Sequence, residues 1–129
     1  MISLSGFITI LRFKGRIGRV EWIVNTFISL SLILSVGFLA DLLGNVASSN
    51  ELFKNIFGII ALITVPLSFY IYCAGTVKRL HDLGHSGWLI LSNLVLGPFF
   101  WFWMVLYPGQ VGTNKYGDRL RIPFKISVK

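Results

Sequence analysis

Two stretches of this chain, residues 22–40 and 55–77, contain no charged side chain. About 20 apolar residues cross the hydrocarbon core of a bilayer as a helix. A backbone in lipid must satisfy its own N–H and C=O groups, so a spanning segment is a helix or part of a closed barrel. The two runs predict an all-α membrane protein with one transmembrane helix over about 20–43 and a second over 56–83, the latter continuing past the membrane as a cytoplasmic extension. Composition agrees, because 13% of the 129 residues are charged, against about 25% in an ordinary soluble domain. A soluble chain this small lacks the polar surface to cover 54% hydrophobic residues. One integral membrane domain over 1–129 is expected.

The net charge of +7 would indicate nucleic acid in a soluble protein. Here the cations flank apolar runs, so cytoplasmic retention and anionic headgroups account for them, with the lipid bilayer as partner and no nucleic acid. Residues 1–19 read as a short N-terminal interfacial helix and then a basic collar of Arg12, Lys14, Arg16 and Arg19, with Gly15 and Gly18 marking a turn. Glu21 suits the positive end of the first helix, and Trp22 suits the headgroup region. The first run exceeds a signal-peptide core and reads as an uncleaved anchor. Asn25/Ser29 and Ser31/Ser35 are spaced i, i+4 within it, which allows close helix contact. A polar loop is expected over 44–51. Pro66 falls inside the second span, where it removes one hydrogen bond. Cys73 reads as a small buried hydrophobe.

A third apolar segment, 88–107, is broken at Gly97-Pro98. A single kinked crossing would place Trp88 in one aromatic belt and Trp103 and Tyr107 in the other. It would also leave six basic residues on each side of the membrane. A re-entrant hairpin places eleven inside and one outside, so the hairpin is favoured, with its turn at mid-bilayer depth and 108–129 as a basic cytoplasmic tail.

The densest ionisable cluster follows the second span: Lys78, Arg79, His81, Asp82 and His85. Asp82 stands i+4 from Lys78 and i+3 from Arg79, so either can pair with it on one helix face. His81 and His85 have a spacing that can hold a metal only on a continuous helix, and Gly84 between them reads as a helix C-cap. No nucleophile elbow, P-loop, dinucleotide fingerprint or Cys-rich site occurs, and no charge lies mid-span as a proton relay requires. No catalytic, cofactor or metal residue is assigned.

Three segments in order, Gly15-Arg16-Ile17-Gly18-Arg19-Val20-Glu21-Trp22, Val77-Lys78-Arg79-Leu80-His81-Asp82-Leu83-Gly84-His85-Ser86-Gly87-Trp88 and Pro108-Gly109-Gln110-Val111-Gly112-Thr113-Asn114-Lys115-Tyr116-Gly117-Asp118, together resemble a bacterial family of small inner-membrane proteins of unknown function, typified by YhaH and YhaI. Lys78 and His85 stand where that family more often carries Arg, and Lys or Arg. The resemblance covers about residues 13–118 and implies an inner-membrane protein with a cytoplasmic N-terminus. It implies no activity.

If all three motifs face the cytoplasm they can meet in one cluster: Arg16, Arg19, Glu21, Trp22, Lys78, Arg79, His81, Asp82, Gly87, Trp88, Asn114, Tyr116 and Gly117. Glu21 is then expected to pair with Arg79 or Lys78, and Asn114 and Tyr116 to fold over the His81-Asp82 turn. The expected role is an interaction or structural component that self-associates or joins a membrane complex. A transporter or channel component is the alternative, and an enzyme is not expected.

Overall fold

A computed structural model describes residues 11–47 and 50–118. Helix α1 spans Arg19–Ala47 and α2 spans Glu51–Asp82; a 3-10 helix over Gly87–Ser92 leads into α3, Asn93–Leu96, and α4, Pro98–Leu106. No strand occurs among the described residues; Asn114 and Gly117 pair in an isolated bridge. The interfacial helix expected at the N-terminus and most of the basic tail lie outside the described residues.

Local chemistry sets the helix ends. Glu21 sits in the first turn of α1, where a carboxylate meets the positive end of the dipole. Asn50 caps α2 by accepting from the Leu52 N–H at 3.0 Å, and the Glu51–Lys54 pair at 2.8 Å braces the first turn. Pro66 lies inside α2 without ending it. The helix stops in a complete Schellman motif: the Gly84 N–H donates to the His81 carbonyl at 3.1 Å and the His85 N–H to the Leu80 carbonyl at 2.9 Å. Gly84 carries φ +82°, a conformation that glycine adopts without steric penalty.

The polar loop is shorter than the sequence indicates. Gly44 does not take the positive φ of a helix stop, and α1 continues to Ala47.

The two long helices form an antiparallel pair. Asn25, buried, donates from Nδ2 to the Ile71 carbonyl at 3.0 Å, and Gly75 faces it so closely that a Cβ there would strike the Asn25 amide. Ser29 bonds back to the Asn25 and Thr26 carbonyls. The second small-polar pair behaves differently. Ser31 and Ser35 are exposed and bond only to the Ile28 and Leu32 carbonyls of their own helix.

The interior is confined to one end of this pair. Ile17, Trp22, Leu80, Leu83, Phe100 and Met104 form the core, and Trp22 donates from Nε1 to Thr76 Oγ1 at 3.3 Å. Trp22 is therefore a core residue, fully buried, not the headgroup aromatic its place beside the basic collar indicates; the third segment covers it, with Trp101 at a ring distance of 5.4 Å. Away from this end the helices expose Phe27, Leu34, Phe38, Leu62, Ile63 and Phe69. Both helices are long and apolar enough to cross a membrane, and only 11% of each candidate span is buried. A soluble core helix would be mostly covered. So much exposed apolar surface marks a membrane protein.

The close contact at Gly75 makes a direct test. Gly75→Val should lower stability by about 1–3 kcal/mol through overpacking against Asn25, read as a lower midpoint of thermal unfolding in detergent, whereas Gly58→Val, at a position with open space, should change it little.

Candidate functional site

The three polar motifs meet at the end of α2, around Asp82. Its carboxylate is fully buried and takes one guanidinium on each oxygen. Oδ1 accepts from Arg16 Nε at 3.2 Å and Nη2 at 3.1 Å, and Oδ2 accepts from Arg79 Nη1. Both arginine side chains are fully buried as well.

Two arginines against one aspartate leave an excess positive charge, and backbone carbonyls absorb it. Arg16 donates from Nη1 to the Gly112 carbonyl and to Gly117 at 3.1 Å, and from Nη2 to the Gln110 carbonyl. All five N–H groups of its guanidinium are thereby engaged. Arg79 donates from Nε and Nη2 to the Met104 carbonyl at 3.1 and 3.0 Å and from Nη2 to Tyr107 at 2.6 Å. A buried charge is tolerable only when paired and fully hydrogen-bonded. No buried side-chain nitrogen or oxygen among the described residues lacks a partner.

This network ties four segments together. The pre-helix strap carries Arg16 and also donates the Ile17 N–H to the Lys78 carbonyl at 3.4 Å. The last turn of α2 supplies Arg79 and Asp82, the end of α4 supplies Met104 and Tyr107, and the third motif supplies Gln110, Gly112 and Gly117. The Gln110 N–H also donates to the Asp82 carbonyl at 2.8 Å.

His81 lies beside the ion pairs. Its Nδ1 is 3.2 Å from the Gly15 carbonyl. A carbonyl only accepts, so Nδ1 carries the proton. Tyr116 stacks on the imidazole at 3.8 Å with a 10° interplanar angle, and Asn114 Nδ2 donates to the His81 carbonyl at 2.8 Å. Asn114 also orders its own turn by accepting the Tyr116 N–H at 2.9 Å.

Arg16, Lys78, Arg79, His81, Asp82, Asn114, Tyr116 and Gly117 thus gather at one end of the molecule with buried Trp22. Gly87 and Trp88 open the 3-10 helix next to them, and Trp88 is 80% exposed. Arg19 is exposed at the start of α1. Glu21 makes no ion pair among the described residues and curls over Gly18; the expected pairing with Arg79 gives way because Asp82, three residues along the same helix, already holds that guanidinium. The α2 helix ends between His81 and His85, which breaks the metal-ligand register. His85 turns out toward Trp103 at 5.5 Å. Met104, Tyr107, Gln110 and Gly112 join the network through backbone carbonyls, which residue identity does not signal; Gln110 Oε1 also accepts from Asn114 Nδ2 at 2.8 Å.

The path of the third segment follows from the same bonds. It leaves at Gly84 and meets Arg79 again at the Met104 and Tyr107 carbonyls, with Trp103 5.5 Å from the His85 ring. Within the segment, Asn93 Nδ2 donates to the Tyr72 hydroxyl at 3.3 Å.

The family description of a protein of unknown function, DUF805, matches residues 10–118. The chain belongs to the DUF805 family. The match contains all three motifs and the whole Arg16–Asp82–Arg79 network. No curated protein and no solved structure matches the chain.

The guanidinium geometry makes a sharp prediction for this family member. Arg16→Lys keeps the charge but supplies three donors in place of five. It should destabilise the fold nearly as much as Arg16→Met, by about 3–5 kcal/mol for a broken buried pair, measured by thermal unfolding in detergent. Exposed Arg19→Lys should be within about 0.5 kcal/mol of the parent.

Proposed function

We propose that this DUF805 protein is an inner-membrane protein of bacteria that acts by association, with itself or within a larger membrane complex, and not by catalysis. The observation that supports this most is the saturation of its ionisable cluster. Arg16, Arg79 and Asp82 are buried and spend their hydrogen bonds on holding segments together, so the charged core of the motif region serves structure and not acid–base chemistry. The cluster is then a clamp that fixes the shape of one membrane face.

In this reading the N-terminus, the clamp and the C-terminal tail share the cytoplasmic side, as the eleven-to-one distribution of basic residues favours. The 32 residues of α2 make about 48 Å of helix against a hydrocarbon core of about 30 Å. Placing Glu51 at the far surface sets the near boundary close to Tyr70 and Tyr72. The third segment then dips only to that boundary, with exposed Leu94, Val95 and Phe99 at its tip in the interfacial layer, a shallower excursion than the mid-bilayer turn that its length alone indicates. Exposed Ser31 and Ser35 on α1 lie away from the Asn25–Gly75 contact and form the small-residue face by which a second copy or another membrane helix packs.

Two measurements test this reading. A C-terminal reporter active only outside the cytoplasmic membrane should be silent, while its cytoplasmic counterpart is active; the reverse pattern contradicts the topology. Cross-linking in native membranes should capture a homo-oligomer or a defined partner, and Ser31→Ile with Ser35→Ile should reduce it several-fold. A chain that remains monomeric and uncross-linked at native level contradicts the association.

A further inference from the structure

Beside the clamp, and using none of its ion pairs, an open groove of about 420 Å³ is lined by Phe13, Val77, His81, Ser86, Trp88 and Tyr116 among others. Phe13 of the strap before α1, the end of α2 with the 3-10 helix, and Tyr116 of the third motif each give it a wall. Its lining contains no carboxylate. Lys115 holds its ammonium over the Tyr116 ring, 5.0 Å from the centroid, while His81 stacks on that ring at 3.8 Å, and Arg12 and Lys14, both exposed, flank Phe13. Asp118, in the same segment as Lys115, is occupied by Thr113 Oγ1 at 2.7 Å.

The groove has polar groups left over. Ser86 precedes the 3-10 helix without making a side-chain cap bond. His81 uses Nδ1 on the Gly15 carbonyl, so the opposite nitrogen, Nε2, is its acceptor. That nitrogen lies 3.5 Å from where a Cβ on Gly87 would stand, on the groove side of the ring. Cations next to its Phe13 and Tyr116 walls, a hydroxyl and an imidazole acceptor within, and aromatic and aliphatic walls describe an amphiphile with an anionic, hydroxyl-bearing head. The level fits as well, because Val77 and His81 lie five to nine residues beyond Tyr72, where lipid headgroups stand in the membrane placement proposed above.

We propose that this groove binds one phosphatidylglycerol-class lipid of the surrounding leaflet. Lys115 faces its phosphate, the glycerol hydroxyl donates to His81 Nε2, and the first acyl carbons pack on Phe13, Val77 and Trp88. This rests on the membrane reading above and goes beyond it by naming a ligand and a site.

The full chain in phosphatidylcholine nanodiscs containing a minor share of phosphatidylglycerol tests the assignment, with retained lipid counted by native mass spectrometry. One phosphatidylglycerol should be retained in preference to phosphatidylcholine. Lys115→Glu, on an exposed side chain that takes no part in the clamp, should lower retention by at least about fivefold. Ser86→Asp should act in the same direction, and Lys54→Glu at the other end of the molecule should leave retention unchanged. Equal retention of the two lipids overturns the proposal, as does equal loss in Lys54→Glu, or full retention in Lys115→Glu. Retention that rises on deletion of residues 2–9 overturns it too, by giving the groove to the chain's own N-terminal segment. Competition by free glycerol phosphate as strong as by the lipid would reassign the site to a soluble phosphate ester. A chain that fails to enter nanodiscs contradicts the membrane reading itself, whereas one that enters and shows no lipid preference contradicts only this site.

Discussion

Asp82 holds the motif end of this molecule in register. One buried carboxylate takes two guanidiniums, and the two guanidiniums reach backbone carbonyls at Met104, Tyr107, Gln110, Gly112 and Gly117, far along the chain from Arg16 and Arg79. Two charges of one sign and one of the other cannot be buried together unless the remaining donors find acceptors. The last turn of α4 and the Gln110–Gly117 stretch supply them. The loops are fixed by the charges, and the charges are tolerated because of the loops, so a partial version of the site is less stable than either the whole or none of it.

From this follows the division of the molecule into two physical regimes. At one end, charges, a buried tryptophan and a small apolar core make a tightly determined cap. Beyond Asn25 and Ile71 the helices share only a narrow contact and turn large aliphatic and aromatic side chains outward. Such a surface is stable in lipid, where it replaces no water, and the positional precision is left to the cap. Gly75 links the two regimes. It lets α1 approach α2 closely enough for Asn25 to bond the Ile71 carbonyl.

Much of this was legible in the sequence because it depends on composition and short spacing. The charge-free runs locate both long helices, Arg79 and Asp82 pair as an i, i+3 step, and Gly84 ends the helix as its position after the basic turn indicates. The Gly97-Pro98 break appears at the boundary between α3 and α4. What was not legible depends on contacts made at a distance. Trp22 looks like a headgroup aromatic until Trp101 covers it. Glu21 looks like the partner of Arg79 until Arg79 is seen to bond Asp82 on its own helix. The carbonyls of Met104, Tyr107, Gln110, Gly112 and Gly117 leave no trace in residue identity, since every residue has one. Belonging to DUF805 agrees with the order of the motifs and adds no chemistry to them.

The central claim is that the segment before α1 and the segment after α4 are clamped to the same end of α2. Engineered cysteines replacing Lys14 and Lys115, in a Cys73→Ser background and in native membranes, measure this most directly. Both residues are exposed and adjoin the Gly15 carbonyl and the Tyr116 ring that His81 contacts. A short bis-maleimide should join them within one chain, and the yield should collapse when Asp82→Asn is added. Cross-linking that is absent in the parent, with the two cysteines labelled by an impermeant reagent from opposite sides of the membrane, would contradict the account.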